Sequence, residues 1–210
     1  MRQLPAEVRA RVIADAFDTY HNEADMVARQ GETVTTWIGV ADGLLKISGI
    51  FRSGKVVMFT GIPTGSWVGE GSVLKRELRK YDIVAMRPSR VIHVPRATFN
   101  WLLDTSFEFN HFLLAHLNER LGQYIGMVET DRLTDPGARL ARSIASLFNP
   151  VLYPGMGPLL PISQAELGEL VGMARQTTNA ALKRLEREGL VAAEYGGVLV
   201  KDLAALKAYQ

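Results

Sequence analysis

Five residues at the start of one predicted helix are of the kinds that contact DNA bases. Arg175 and Gln176 open this helix, and Asn179, Ala180 and Lys183 follow on its outward face. Arginine can donate two hydrogen bonds to guanine, and glutamine or asparagine can pair in the same bidentate way with adenine. Because helix-turn-helix proteins contact base edges from the start of the recognition helix, this group predicts sequence-specific DNA binding.

The elements that must position these side chains are two short helices joined by a tight turn, within residues 162–191. Ser163 and Glu166 have the S-x-x-E spacing of a capping box, and Gly172 ends the first helix because glycine tolerates a left-handed turn. The inward face of the second helix is predicted to be Thr178, Ala181, Leu182 and Leu185. Gly196-Gly197 then separates two β-prone runs and predicts a hairpin wing. The alternative is a helical hairpin whose polar face only meets water, and the ordered series of cap, turn, polar helix start and wing favours the DNA-reading interpretation.

The first half of the chain consists mainly of short β-prone runs. A helix is predicted to open at Pro5. Its apolar positions at helical spacing are Val8, Val12, Ile13 and Phe17. From about residue 32 to residue 93 the β-prone runs are VTTWIGV, LLKIS, VVMFTGI, SWVG, YDIVAM and RVIHV, separated by turn signals. Many short strands at this spacing indicate a sandwich or barrel of antiparallel strands.

A long helix is predicted from about Ser106 to Leu133, a stretch without proline. Residues within it recur at alternating spacings of three and four, which is a heptad pattern. The pattern consists of Phe107, Asn110, Leu114, Leu117, Leu121, Tyr124 and Val128. The heptad alone leaves two interpretations open: a buried stripe that packs on the chain's own barrel, or the contact face of a parallel dimer. Asp135-Pro136 then opens a further helix, with aspartate as N-cap and proline in the first turn.

A β-rich N-terminal part, a long helix and a C-terminal winged helix-turn-helix, in this order, resemble the Crp/Fnr family of bacterial transcription regulators. The resemblance spans nearly the whole chain and is strongest in residues 162–200, where ELGELVGMARQTT follows the family pattern. It implies an α+β fold in three parts. These are a β jelly-roll sensor domain of the cyclic-nucleotide-binding type in residues 1–105, a long dimerisation helix in residues 106–134, and a winged helix-turn-helix DNA-binding domain in residues 135–210.

The same resemblance implies how the molecule assembles. The long helix would join two copies into a homodimer, which favours the dimer interpretation of the heptad. The dimer would bind a two-fold symmetric site in double-stranded DNA beside a promoter, with RNA polymerase as a further partner. The dimer interface is then expected at Leu114, Leu117, Leu121, Tyr124 and Val128.

The resemblance also assigns roles to single residues of the helix-turn-helix. It implies that bases are read by Arg175, Gln176 and Asn179 or Ala180, with phosphates near Gln164 and Thr177. Family members that read a GTGA-type half-site carry Glu and a second Arg where this chain has Gln176 and Ala180. The operator sequence of those members therefore does not transfer to this chain.

The residues that would bind an effector match the family pattern only in part. In cyclic-nucleotide-binding members, a Gly-Glu pair meets the ribose and phosphate, and an Arg-Ser pair further along the chain clamps the cyclic phosphate. Gly69-Glu70 matches the first pair. At the family's spacing of about ten residues further along, this chain has Lys80-Tyr81 in place of the Arg-Ser pair. Lysine neutralises phosphate only as a point charge, without the bidentate fork of arginine. The Thr-Ser pair that contacts adenine aligns with Tyr124-Ile125. These losses disfavour a cyclic nucleotide, so the predicted pocket takes another small ligand or none.

Other cofactors and an enzymatic function are also disfavoured. The absence of cysteine excludes an iron–sulfur cluster of the usual kind and a thiolate zinc site. Haem would need an axial ligand from His21, His93, His111 or His116, and a lone histidine is more often structural. The closely spaced histidines of a cupin-like metalloenzyme do not occur, nor does a P-loop, a G-x-S-x-G motif or a dinucleotide fingerprint. A winged-helix interaction adaptor is the other alternative, and binding to DNA that weakens steeply with salt would exclude it.

Composition and charge set the outer limits of these interpretations. The 210 residues are 47% hydrophobic and 22% charged, which is enough apolar material for one long or two small domains. The 24 basic and 22 acidic residues leave a net charge of +2, so bulk charge does not identify a partner. No apolar run approaches the ~20 residues of a membrane helix, and the first residues lack the apolar region of a signal peptide. We therefore expect a cytoplasmic protein with no membrane partner.

Overall fold

A short helix, a two-layer barrel and a long helix precede a smaller mixed domain in the computed structural model, which describes residues 4–50, 54 and 56–210. The helices that it describes are α1 (Ala6–Asp15), α2 (Glu70–Lys75), α3 (Arg96–Thr105), α4 (Phe107–Asp131), α5 (Pro136–Ser146), α6 (Gln164–Val171), α7 (Arg175–Arg187) and α8 (Leu203–Ala208). The barrel strands are β1 (Phe17–His21), β2 (Met26–Ala28), β3 (Thr36–Asp42), β4 (Leu44–Ile50), β5 (Val56–Pro63), β6 (Trp67–Val68), β7 (Asp82–Ala85) and β8 (Ser89–Pro95). The strands of the second domain are β9 (Leu159–Leu160), β10 (Val191–Glu194) and β11 (Gly197–Val200).

Two four-stranded antiparallel sheets form the barrel, in the orders β1-β8-β3-β6 and β2-β7-β4-β5. Apolar side chains from both sheets meet in one buried cluster that includes Ile38, Ile47 and Ile83. Eight strands arranged in two facing sheets are the architecture of a jelly roll. The predicted α+β fold class, with a jelly roll before a helix-turn-helix domain, is therefore confirmed.

The barrel begins earlier in the chain than the sequence pattern indicates. All six predicted runs form strands, β3 to β8, but β1 and β2 were not predicted. Phe17 does not continue the opening helix: α1 ends at Asp15, and Phe17 starts β1, where its ring stacks on His93 at 4.9 Å between centroids. The strand FDTYH is mainly exposed along the edge of its sheet. Because it buries so little, it lacks the apolar alternation that marks a strand in sequence.

The long helix forms as predicted, with Ser106 as its N-cap. The stripe that packs on the barrel is a different one from the heptad: it consists of Phe109, Leu113, His116, Arg120 and Gln123. Along the heptad, Leu114 and Leu121 are 65% and 59% exposed. The interpretation in which the heptad packs on the chain's own barrel is therefore wrong.

The second domain has a core of its own that continues onto the barrel. Leu140 and Ile144 of α5 are fully buried with Leu182 and Leu185 of α7. Leu44, Met58 and Met86 of the barrel belong to the same buried cluster. The two domains thus share apolar packing, which fixes the orientation of the helix-turn-helix in this structure. Among the described helices, none combines the length and the apolar character that crossing a membrane requires.

Candidate DNA interface and effector cavity

The helix-turn-helix is built by the local signals that the sequence carries. Ser163 Oγ accepts from the Glu166 amide at 3.3 Å, and Glu166 Oε2 accepts from the Ser163 amide at 2.7 Å. Both bonds of the capping box are present. Gly172 ends α6 with φ 65°, in the left-handed region. Only Met173 and Ala174 separate Gly172 from the start of α7, so α6 and α7 are held at a fixed angle by a turn with little freedom.

The inward face of α7 is the predicted one. Thr178, Ala181, Leu182 and Leu185 are buried. Thr178 also donates from Oγ1 to the carbonyl of Ala174 at 3.1 Å, which satisfies its hydroxyl inside the domain. With this face anchored, the opposite face of the helix points to solvent.

The predicted base and phosphate contacts lie on or beside that solvent face. The exposed positions are Gln164 at the start of α6 and Arg175, Gln176, Thr177, Ala180 and Lys183 on α7. Asn179 differs, because it is half-buried and its Oδ1 is enclosed without a hydrogen-bond partner in the part of the chain that the structure describes. The structure thus exposes six of the seven predicted residues and turns the seventh partly inward.

The predicted wing is a two-stranded hairpin. β10 and β11 pair antiparallel with Glu194 opposite Gly197, which leaves Tyr195 and Gly196 as a two-residue loop. Gly196 has φ 84°, a left-handed conformation that glycine adopts without steric cost. Tyr195 at the tip is fully exposed. The tip residues are therefore free to meet a partner beside α7.

A cavity of about 220 Å³ lies between the barrel and α4. Four of the five predicted effector residues line it: Glu70, Lys80, Tyr81 and Tyr124. The fifth, Gly69, precedes α2 in the left-handed conformation, with φ 91°. Burial raises the pKa of Tyr81 and of Tyr124, so both phenols are neutral hydrogen-bonding groups at neutral pH.

Glu70 and Arg120 both line this cavity. Glu70 is 6% exposed, and its Oε2 has no partner among the described residues. Arg120 of α4 donates to Gln123 Oε1 at 3.1 Å, to the Tyr153 hydroxyl at 3.2 Å and to the Trp67 carbonyl at 3.1 Å. Burial acts to lower the pKa of Arg120, but Tyr153 and Glu70 outweigh it, and the pKa is raised. A free carboxylate oxygen and a fixed guanidinium therefore face the same space.

An arginine stands one residue before the position that the family spacing predicts for the phosphate-binding pair. Arg79, immediately before Lys80, is 6% exposed, and its Nη1 has no hydrogen-bond partner in the described chain. This atom lies 3.1 Å from where a Cβ on Gly69 would stand. Burial lowers the pKa of Arg79. Lys80 instead reaches solvent and pairs with Glu77 at 3.2 Å.

The sequence pattern points to neither Arg120 nor Arg79, for reasons that the structure makes plain. Arg120 lies in the barrel-facing stripe of α4 with His116 and Gln123, and polar residues repeating at helical spacing inside a buried stripe are the signal that marks it. Arg79 lies one residue closer to Glu70 than the family spacing predicts, so that spacing points to Lys80 instead. No group of three or more metal-ligating side chains occurs within the described ranges.

Comparison with known proteins matches both halves of the chain. Residues 20–106 match a model of the cyclic nucleotide-binding domain, and residues 138–209 match a model of the Crp-like helix-turn-helix domain. The transcriptional regulator LdrP of Thermus thermophilus is 26% identical over 85% of this chain and 89% of its own. The cAMP-activated global transcriptional regulator CRP of Haemophilus influenzae is 24% identical over 81% of this chain and 77% of its own. The solved structure of FixK2 from Bradyrhizobium japonicum has the same fold, with a TM-score of 0.75 at 13% identity over 92% of this chain and 96% of that one.

Proposed function

The chain belongs to the Crp/Fnr family and is a DNA-binding transcription regulator rather than an enzyme, and we propose that it acts as a homodimer on an inverted-repeat site. The observation that carries this proposal is the pair Arg175 and Gln176, exposed at the start of a helix whose other face is buried. Arginine and glutamine at this point of a recognition helix suit guanine and adenine edges in the major groove. The remaining exposed residues of the surface, Gln164, Thr177, Ala180 and Lys183, supply backbone and groove contacts around them.

The homodimer is supported by the exposed heptad of α4. Leu114, Leu121 and Val128 are 54% to 65% exposed along one line of the helix, and Leu117 and Tyr124 lie beside them. A contiguous apolar face of this kind on a water-exposed helix marks an interaction surface. At ~1.5 Å per residue the helix is long enough for a parallel pairing of three heptads. Two recognition helices would then enter successive major grooves, ~34–36 Å apart.

We further propose that the cavity of about 220 Å³ takes a small anionic effector, with a cyclic nucleotide as the first candidate. The supporting contacts are Lys80 and Arg120 at the cavity and the partnerless Nη1 of Arg79 beside Gly69. Glu70 Oε2 offers an acceptor for a sugar hydroxyl. One of the relatives bears the name of a cAMP-activated regulator, and we carry that effector to this chain as a hypothesis. The sequence argument against it loses force, because an arginine stands one residue before the position that the family spacing predicts.

The experiment that tests both proposals is selection of bound duplexes from a random DNA library with the full-length protein, with and without cyclic AMP. Enrichment of an inverted repeat only in the presence of cyclic AMP supports both the homodimeric DNA-binding function and cyclic AMP as the effector. The same repeat enriched equally in both arms supports the regulator and contradicts the effector. No repeat in either arm contradicts the proposed dimeric reader. On the selected site, affinity should fall steeply with salt because phosphate contacts release counterions, and a flat response would indicate an interaction adaptor.

The partners and setting follow from the same proposal. A homodimer on a site beside a promoter is placed to contact RNA polymerase, and we propose the polymerase as its protein partner. Promoter DNA in a bacterial cell is in the cytoplasm, where we expect the protein to act.

A further inference from the structure

Two residues of α4 hold a tyrosine of the second domain by its hydroxyl group. Arg120 Nη1 donates to the Tyr153 hydroxyl at 3.2 Å, and Gln123 Nε2 donates to the same oxygen at 2.7 Å. Arg120 Nη1 also donates to Gln123 Oε1 at 3.1 Å, and its Cζ lies 5.8 Å from the centroid of the tyrosine ring. Arg120 and Tyr153 are 6% and 1% exposed. The three side chains therefore form one buried hydrogen-bonded group.

The loop that carries Tyr153 runs from the end of α5 to β9, the strand that pairs with the wing strand β11. The Tyr153 amide donates to the Asn149 carbonyl at 2.8 Å, and Asn149 Nδ2 donates to Glu119 Oε2 of α4 at 2.8 Å. Gln123 Nε2 also donates to the Ser146 carbonyl at the end of α5, at 3.3 Å. The Tyr153 ring belongs to the buried cluster that contains the apolar faces of α5 and α7. A displacement of this ring therefore acts on the packing of the helix-turn-helix.

The guanidinium of Arg120 is also part of the wall of the effector cavity, the cavity of about 220 Å³ between the barrel and α4. Among the described residues that line this cavity, only Arg120 makes a hydrogen bond to the second domain. Its bonds to Gln123, Tyr153 and the Trp67 carbonyl use three of the five N–H groups of a guanidinium. Two N–H groups are left for a ligand, so a ligand and Tyr153 can share one arginine.

The charge in the cavity acts on the hydrogen bond between Arg120 and Tyr153. Glu70 lines the cavity, and its charge acts on that of Arg120. Bidentate bonds from arginine to a carboxylate or phosphate are stronger than one bond to a neutral phenol. An anion in the cavity would therefore draw the guanidinium away from Tyr153, and loss of the Glu70 charge would have the opposite effect. A ligand shifts a conformational equilibrium only through such a difference in binding.

We propose that Tyr153 is a positioning residue that couples the effector cavity to the DNA-reading face of α7, through its hydrogen bond to Arg120. The proposal rests on the DNA-binding function proposed above, but it does not depend on which effector the cavity takes. It differs from a general movement of α4, because it assigns the coupling to one hydroxyl group.

A double-mutant cycle on DNA affinity tests this coupling without any effector. Glu70→Gln keeps the shape of the side chain and removes the charge that acts on Arg120, and Tyr153→Phe removes the hydroxyl but keeps the buried ring. We expect Glu70→Gln alone to change the dissociation constant for the selected duplex roughly fivefold or more. In the Tyr153→Phe background the same substitution should change that constant less than about twofold, because the bond that transmits the effect is absent.

Tyr209→Phe is the matched control for this cycle. It removes another tyrosine hydroxyl of the second domain, one that donates to Glu188 and makes no bond to α4 among the described residues. In the Tyr209→Phe background, Glu70→Gln should keep its full effect on the dissociation constant. An effect of Glu70→Gln that is equal in all three backgrounds, or absent from all three, would overturn the proposal.

Fluorine NMR of the full-length protein, with 3-fluorotyrosine at its six tyrosines, measures the same coupling without DNA. The signal that Tyr153→Phe removes belongs to Tyr153. Glu70→Gln should shift this signal, and the shift should be absent once Arg120→Met has removed the guanidinium. A Tyr153 signal that Glu70→Gln leaves unchanged, or shifts equally with and without Arg120, would exclude this bond as the route. If the library selection yields no duplex, the proposed DNA-binding function fails, and the fluorine signal alone decides whether the cavity is coupled to the second domain.

Discussion

Arg87 and Glu166 join the barrel to the helix-turn-helix by a two-bond ion pair. Arg87 Nη1 and Nη2 donate to Glu166 Oε1 and Oε2 at 2.8 and 2.7 Å, and Nη2 also donates to the Pro161 carbonyl at 3.1 Å. Burial acts to raise the pKa of Glu166, but hydrogen bonds from Arg87 and Ser163 outweigh it and the pKa is lowered. The carboxylate that closes the capping box of α6 is therefore the one that fixes α6 to the sensor domain.

Replacing Arg87 with alanine should weaken this connection. Arg87→Ala removes both hydrogen bonds of a pair whose side chains are 27% and 17% exposed, together with those to the Pro161 and Met86 carbonyls, so the free energy of unfolding should fall by about 1–2 kcal/mol. Urea denaturation followed by circular dichroism measures it. The control is Lys46→Ala, which breaks the more exposed Lys46–Glu169 pair and should cost at most about 1 kcal/mol. An equal fall in the free energy of unfolding in both variants would show that the Arg87–Glu166 pair stabilises the protein no more than an exposed ion pair does.

Gly172 should be the least replaceable turn residue of the helix-turn-helix. Its φ of 65° lies in the left-handed region, and a Cβ there would meet nothing within 4 Å. Gly172→Ala should therefore destabilise by about 1–2 kcal/mol through backbone strain alone. Gly122→Ala, in the middle of α4 and also without a neighbour to the new Cβ, should stabilise by up to ~1 kcal/mol. Thermal melts of the two variants that shift in the same direction would contradict this account.

Much of this structure is predictable because its signals are local. The capping box Ser163–Glu166, the turn at Gly172 and the runs that form β3 to β8 each depend on residues close in sequence. The barrel-facing stripe of α4 is different: it contains His116, Arg120 and Gln123, so apolar periodicity selects the exposed heptad instead. The polar side chains are tolerated there because Tyr153 and the Trp67 carbonyl, distant in sequence, provide partners for Arg120.

The buried histidines should make the protein less stable in mild acid. Burial is the largest cause that lowers the pKa of His93 and of His116. At His116 the charge of Arg120 lowers the pKa further, and the two together outweigh Glu70, which acts to raise it. Below an ordinary pKa of ~6.5, the unfolded chain binds protons that the folded chain does not. The free energy of unfolding should therefore fall as the pH drops from 7, until the pH passes the folded pKa of each ring.

His116→Phe should reduce this pH dependence. Each such ring contributes a slope of at most ~1.4 kcal/mol per pH unit, and the variant removes one of them while His93 keeps its own. Urea denaturation in steps between pH 7 and 5 gives the slope. His111→Phe removes an exposed ring and should leave the slope at the wild-type value. A His116→Phe slope equal to that of wild type would mean that the buried ring takes up its proton in the folded state.

A carboxylate in the heptad of α4 should separate the proposed dimer. Leu121→Glu places a charge where two apolar faces would meet, and the dimer dissociation constant should rise by roughly a hundredfold or more. Sedimentation velocity over a concentration series measures it. Ala115→Glu adds the same charge at another exposed position of α4, away from the heptad, and should leave association unchanged. A wild-type chain that sediments as a monomer at every concentration would exclude the dimer itself.

Arg175 should determine the preference at one base pair of the selected site. Arg175→Ala removes an exposed guanidinium that can bind guanine at two points, so binding to the preferred duplex should weaken by ~1–3 kcal/mol with relaxed discrimination at a single position. Binding curves on the selected duplex and on all three single-base variants of each position give both quantities.

Lys183 supplies the comparison that separates base reading from charge. Lys183→Ala on the same exposed face of α7 should weaken all duplexes about equally and reduce the salt slope by about one, because a point charge near phosphate carries no sequence information. If Arg175→Ala gives the same uniform loss, then Arg175 contacts only phosphate, and base reading must rest on Gln176 and its neighbours. If it weakens the preferred duplex and spares the others, the first residue of α7 is a base-reading residue.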